Sequence, residues 1–301
     1  MSSCMSSKVQ SLGHLNLWFT LRTFLQWSKN IMLITTSMLT TCSSRIIHPS
    51  IAWISDAVAN IKNCITSINK WCASKRLQLN PTKSKIIWFG TTMSLRRLQG
   101  LDLGLHVGAN IITPVDVVRD LGVLFDNKLT MKKHISEIMS VCFYHLRRLK
   151  QVRRLLGPDI TARLVSAFVL SQLDYCNSVL VGLPQSTIAL LQEVKNAAAR
   201  LIMSLGSRDH ITPALHQLHW LPVKFRVTYK LCLLMHIMHV GRCSGYIADL
   251  VTQTYSPSPW DRLRSEAANR FELPAIHHKL SERAFSHAGP ETIYYHTSLQ
   301  Q

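Results

Sequence analysis

Lys83 is the first residue of this chain whose place suggests chemistry. It lies on the turn Leu77-Gln-Leu-Asn-Pro-Thr-Lys83, after the basic pair Lys75 and Arg76 and ahead of the apolar run Ile86 to Phe89. A cation on a turn that feeds a strand can be aimed at a triphosphate, to stabilise the departing pyrophosphate or give it a proton. The plainer reading is a solvated turn lysine beside Lys85. A second group is the basic series Arg147, Arg148, Lys150, Arg153, Arg154 with Arg163. At helical spacing Arg147, Lys150 and Arg154 share one face, while Leu146, Leu149, Val152 and Leu156 point elsewhere. Such a face can contact phosphates and release their counterions, or it can simply be solvated. Gly122, in Asp120-Leu121-Gly122-Val123, would let backbone or nucleic acid approach closely, or would mark a bulge. The set His216, His219, Cys232, His236, His239 and Cys243 contains two i, i+3 histidine pairs that could each face a metal. The second pair falls mid-helix among Leu233, Leu234, Met235 and Met238, so packed or surface histidines are the better reading and no metal is assigned.

Composition bounds the partners. The 301 residues carry a formal net charge of +18 and are 47% hydrophobic. That is enough apolar material for a substantial core of one or two domains, with a charge suited to a polyanion. RNA or DNA held through its phosphate backbone is the favoured partner. A membrane surface also fits the charge, but no segment reads as a transmembrane span: Ile31 to Leu39 is too short, and Leu164 to Leu183 is interrupted by Asp174 and Asn177. No signal peptide is read. The eight cysteines are scattered without Cys-x-x-Cys pairs, as in an intracellular protein of the cytoplasm or nucleus with reduced, mostly buried thiols. Nothing in the sequence fixes an oligomeric state.

Elements able to position these residues begin after Ser55. Residues 1 to 55 contain no Asp or Glu, which at an acidic usage of about 12% arises on the order of once in a thousand. They show no sustained period and read as disordered, or at most as isolated short helices. Ile61, Cys64, Ile65, Ile68, Trp71 and Cys72 then fall on one face of a helix near 56 to 75. Ile86 to Phe89, Leu105 to Val107 and Val115 to Leu124 read as short strands. Met131 to Leu156 reads as a long amphipathic helix stopped by Gly157-Pro158, with a second helix capped by Asp159 and running to about Leu173. A third spans about Ser186 to Leu205, burying Ile188, Leu191, Val194, Ala198 and Leu201. A fourth opens at Pro222 and runs to about Val240. Pro257 and Pro259 mark a loop, and the remainder is weakly patterned. The fold class expected is mainly α with a small antiparallel β element at 85 to 124, that is, α+β.

Taken in order, several segments resemble one family. Leu77 to Gly90, Asp116-Val-Val-Arg-Asp-Leu-Gly-Val-Leu-Phe-Asp126, Leu173-Asp-Tyr-Cys-Asn177, Asn196-Ala-Ala-Ala-Arg-Leu201 and Leu218-His-Trp-Leu-Pro-Val223 look like the palm end, thumb and following helices of reverse transcriptases from non-LTR (LINE, jockey-like) retrotransposons. The ordered set is specific although no single piece is, and it covers roughly residues 56 to 290. The resemblance implies an RNA-directed DNA polymerase in which Lys83 matches the palm lysine, Gly122 the primer-grip region, and the Arg147 to Arg163 series a thumb helix tracking template and primer. It divides the chain into a palm end and primer grip at 56–126, a thumb-like helical region at 127–254, and a weakly ordered tail at 255–301.

The family joins nucleotides with two Mg2+ ions held by carboxylates, two of them from a Tyr/Phe-Ala-Asp-Asp box just before the helix placed at 56 to 75. This chain has no such box, and Asp56, Asp102 and Asp116 lie outside its expected place. Read one base out of frame, codons for Tyr-Ala-Asp-Asp give Met or Thr, then Leu, Pro, Gln or Arg, then Met or Thr, then Ile, Met or Thr. Met38-Leu39-Thr40-Thr41 satisfies all four positions where the box belongs, so the first 55 residues read as an out-of-frame palm core. The expectation is a catalytically inactive polymerase fragment without cofactor or intact catalytic residue. The alternatives are a non-enzymatic basic helical protein that binds nucleic acid, or a relic reading frame without function.

Overall fold

The computed structural model describes residues 30–32, 43–45, 51–74, 76, 84–101, 103–107, 110–243, 245–251, 253–254, 270–274 and 281–298. The chain divides into two units, Met1–Thr130 and Met131–Gln301, and the fold is mainly α with small antiparallel β elements.

In the first unit, β1 (Asn30–Met32) pairs antiparallel with β2 (Ser43–Arg45). This ladder falls inside the stretch expected to be disordered; most of that stretch, with Met38 to Thr41, lies outside the described residues. Helix α1 (Ile51–Ser74) starts five residues earlier than its acid-marked beginning suggested. It buries Val58, Ile65 and Cys72, spaced seven apart along one face. Val58 and Ile65 belong to a core with Ile86, Trp88, Leu98, Leu103, Leu105 and Ile112. The short helix α2 (Thr92–Arg96) is capped by Thr91, whose Oγ1 accepts the Ser94 N–H at 3.2 Å.

Ile86 to Phe89 is fully buried, as its unbroken apolar run implies, yet it is not a strand. Only Ile86 bridges, to Pro114, and its carbonyl accepts the Val115 N–H at 2.8 Å. Pro114 has no N–H to continue the ladder. β3 (Leu105–Val107) pairs with β4 (Asn110–Ile112), the latter unforeseen. Val115 to Leu124, read as one strand, is instead a hairpin of β5 (Val117–Asp120) and β6 (Val123–Asp126). Its two-residue turn has positive φ at both positions, Leu121 at 45° and Gly122 at 87°, as in a type I′ turn. A leucine thus occupies the left-handed region at a position where Asn or Gly is usual.

In the second unit, α3 (Lys132–Val165) is broken at Gly157, whose φ of 71° and ψ of 171° leave the helical region. Gly157 rather than Asp159 caps the second half, and its carbonyl accepts the Thr161 hydroxyl at 2.6 Å. The chain stays helical beyond, through a π turn at Ser166–Leu170 and α4 (Ser171–Asp174). Ile135, Ile138, Cys142, Leu146 and Leu149 line the buried face of α3. Val152 is exposed, and Leu155 is 87% exposed, so the apolar stripe stops one turn sooner than its sequence implies.

Helix α5 (Gln185–Met203) packs on α3. It buries Ile188, Leu191, Val194, Ala198 and Ile202, with Leu201 only half-buried. Helix α6 (Thr212–Gln217) leads to α7 (Val223–His239), for which Pro222 is the N-cap. A short helix, α8 (Gly245–Ala248), and the pairing of β7 (Gln253–Thr254) with β8 (Arg270–Phe271) follow. The proline loop at 257 and 259 lies outside the described residues. The weakly patterned end carries α9 (Phe285–Ser298), which packs on α7 and buries Phe285 and Ala288. Before it, Arg283 donates to the carbonyls of Val181 at 3.0 Å and Val179 at 3.2 Å. A side chain at Gly182, where φ is 66°, would meet the Arg283 Cγ at 2.6 Å.

The contrast between Leu191, wholly buried, and Leu155 makes this packing testable by urea unfolding. Leu191→Ala should cost about 2–5 kcal/mol through the cavity it leaves, and Leu155→Ala should stay within about 0.5 kcal/mol of the parent.

Candidate nucleic-acid interface

Before the Gly157 break, α3 carries seven Lys or Arg (Lys132, Lys133, Arg147, Arg148, Lys150, Arg153, Arg154) against the single acid Glu137. The helix sorts them by face. Arg147, Lys150 and Arg154 are exposed on one side, and no hydrogen bond or ion pair holds their side chains among the described residues. Lys133, with the exposed Ser136 and Ser140, extends the same face toward the helix start. At about 1.5 Å per residue the row from Lys133 to Arg154 is about 30 Å long. The spacing of seven in Lys133, Ser140, Arg147 and Arg154 is the signal by which sequence reasoning could have found its far end.

Two of the remaining cations of the series are otherwise engaged. Arg153 turns inward, where its Nη2 donates to the Ser204 hydroxyl and to the Ile202 carbonyl at 3.4 Å. It thereby meets a terminal carbonyl of α5 that has no partner within its own helix. Arg148 donates to the Tyr144 hydroxyl at 2.7 Å and lies 5.6 Å from that ring's centre. Arg163 is exposed but lies beyond the break. Gly122 belongs to the first unit, where its place is explained by the hairpin turn. Lys83 lies outside the described residues, as does Asp102. Asp116 is occupied, since its Oδ1 accepts Asn127 Nδ2 at 2.8 Å.

Three of the quoted sequence segments meet in the second unit around Lys195, which sequence reasoning passed over. Its Nζ donates to the Leu221 carbonyl and stands 5.9 Å from the Trp220 ring centre. Close by, Asp174 takes a two-pronged contact from Arg226, with Nε to Oδ1 at 2.7 Å and Nη2 to Oδ2. Gln192 accepts the Val223 N–H at 2.9 Å and donates to Asn196 at 2.8 Å. The first unpaired N–H of α7 is thus satisfied from α5. Burial, and then the neighbouring Arg226 charge, push the Lys195 pKa down to about 8, against an opposing pull from Asp174. No intrahelical spacing marks Lys195, because its partners lie 21 or more residues away.

The histidine and cysteine set does not converge: among the described residues no group of three or more His, Cys, Asp or Glu could hold a metal. Cys72 and Cys142 are buried, whereas Cys176, Cys232 and Cys243 are half-buried, all as free thiols. The sequence reading had most of them buried; Cys232 and Cys243 fall toward the open side of α7 and just past its end. Burial alone pushes the Cys142 thiol up to about 11. Among the described residues no helix is long and apolar enough to cross a membrane.

Lys195 gives a measurable pH dependence. Its folded pKa lies below that of an unfolded lysine, so from about pH 8 to the ordinary lysine range the unfolded chain holds the extra proton. Stability from this group therefore rises with pH in that window, at no more than about 1.4 kcal/mol per unit. Urea unfolding of the parent and of Lys195→Met at pH 7.5 and at pH 10 should show the parent gaining on the variant as pH rises. A difference that stays constant would place the titration elsewhere. No family model, curated protein or solved structure matches this chain.

Proposed function

We propose that this chain is a catalytically inactive fragment of a non-LTR retrotransposon reverse transcriptase whose helical unit binds RNA or DNA through the phosphate backbone. The observation that carries the binding is the exposed row of Arg147, Lys150 and Arg154, left without ion-pair partners among the described residues in a chain of net charge +18. Cations held for stability are drawn into contacts, as Arg153 is; cations kept apart in a row on a rigid helix suit a periodic polyanion. The polymerase ancestry rests on the ordered motifs. The meeting of three of them around Lys195 favours treating those three as parts of one folded unit, a reading equally open to a non-enzymatic basic helical protein of other descent.

Inactivity follows from the carboxylates. Two-metal phosphoryl transfer needs paired acids on the palm, and residues 1–55, where the box belongs, hold no Asp or Glu. Primer, template, nucleotides and Mg2+ or Mn2+ should therefore yield no extension with purified protein. Template-dependent synthesis that survives stringent purification would refute this.

Binding should be indifferent to sequence and should weaken steeply with salt. Changing Arg147, Lys150 and Arg154 together to Ala should lower affinity for RNA and DNA and flatten the log–log salt slope by up to about three units. Thermal stability should hardly change, because these side chains are exposed. An unaltered slope would mean that the face is only solvated, and no salt-dependent binding at all would favour a relic reading frame.

A further inference from the structure

Beside the cationic row, planar groups form a second row that phosphate binding does not need. Phe168 is 44% exposed and Tyr144 is 48% exposed. His145 lies between them: its ring stacks on Phe168 with centres 5.1 Å apart and planes 14° from parallel, and it meets Tyr144 edge-on at 5.4 Å. The Arg148 guanidinium continues the series over Tyr144. Phe168 is carried by the π turn Ser166–Leu170, in which Val169 and Leu170 are buried while Phe168 faces outward. A π turn widens the helix at a cost in hydrogen-bond geometry and tends to survive where it aims a side chain that is used. A half-exposed phenylalanine laid parallel on an imidazole presents a flat apolar surface, linked through His145 and Tyr144 to Arg148.

We infer that Phe168, with Tyr144 and Arg148, stacks unpaired nucleobases, so that the basic face of α3 holds single-stranded nucleic acid. This rests on the phosphate-binding reading of that face and adds the form of the ligand. Charge selects a polyanion, and near-parallel ring geometry selects one with planar apolar faces. A duplex meets the first demand but hides its base faces in its own stack; a single strand meets both. RNA and DNA share this chemistry, and stacking alone does not separate them.

The test compares full-length protein with oligouridylate, oligothymidylate and a duplex of equal length, each across a salt series. The parent should bind the single strands more tightly than the duplex. Phe168→Leu keeps apolar bulk but removes the ring. It should weaken single-strand binding about tenfold while leaving the duplex and the salt slope unchanged, and Phe168→Trp should restore the parent's affinity. A loss confined to oligouridylate or to oligothymidylate would identify that strand as the ligand. Should Phe168→Leu fold poorly by circular dichroism, 2-aminopurine within oligothymidylate reports on the parent directly, since stacking quenches it. Unchanged single-strand affinity in Phe168→Leu, an equal loss on the duplex, or no quenching on binding would overturn the inference while leaving phosphate binding intact. Absence of salt-dependent binding to all three probes would instead remove the reading on which it depends.

Discussion

A cation shut away from water must be met by oxygen, and Lys195 sets that demand in the middle of the helical unit. Its ammonium donates to the Leu221 carbonyl, while a carboxylate acting on it, Asp174, is already gripped by Arg226. Burial is the main reason the lysine pKa falls although a carboxylate is near, and the Arg226 charge, which shares that carboxylate, adds to the fall. Charged groups in such a place are poor contributors to net stability and strong constraints on geometry. Here they tie the end of the π-containing helix, the middle of α5 and the start of α7 to one arrangement. The apolar contacts of α3, α5, α7 and α9 then close around that arrangement.

Two uses of arginine lie side by side on α3. Arg153 closes the end of α5, so its charge is spent within the fold. Arg147 and Arg154, six before it and one after, make no hydrogen bond or ion pair among the described residues. Composition counts all of these equally, and only the direction in which each leaves the helix separates them. A residue's periodic position sets that direction, and packing against α5 decides which positions become interior.

The long helices were legible because burial imposes a period of about 3.6 on α3 and α5, and because Gly157-Pro158 cannot continue a helix. Their fine ends were not: Val152 extends the apolar pattern but is exposed where the end of α5 lies alongside Arg153. The strands were harder. Ile86 to Phe89 has the composition of a buried strand but forms a single bridge, Ile86 to Pro114, and Leu121 occupies a turn position usually held by Asn or Gly. Of the candidate site, the Arg147, Lys150 and Arg154 face could be read from spacing. The stack of His145 on Phe168 could not, because it joins residues 23 apart through a π turn that no sequence period announces.

The Arg283 clamp bears on how this unit comes together in time. Most helical contacts form between neighbours in sequence and need only short loops to close. The hydrogen bonds from Arg283 to Val179 and Val181 span 104 and 102 residues. Closing a loop of that length costs about 2 kcal/mol more entropy than closing one of ten residues, and it cannot happen until Arg283 has been synthesised. A nascent chain can therefore assemble α3 against α5 early, but the carbonyls beside Gly182 wait for the last helix to arrive. The unit has an order of assembly written into it, in which the C-terminal helix acts as a latch on a bundle already formed.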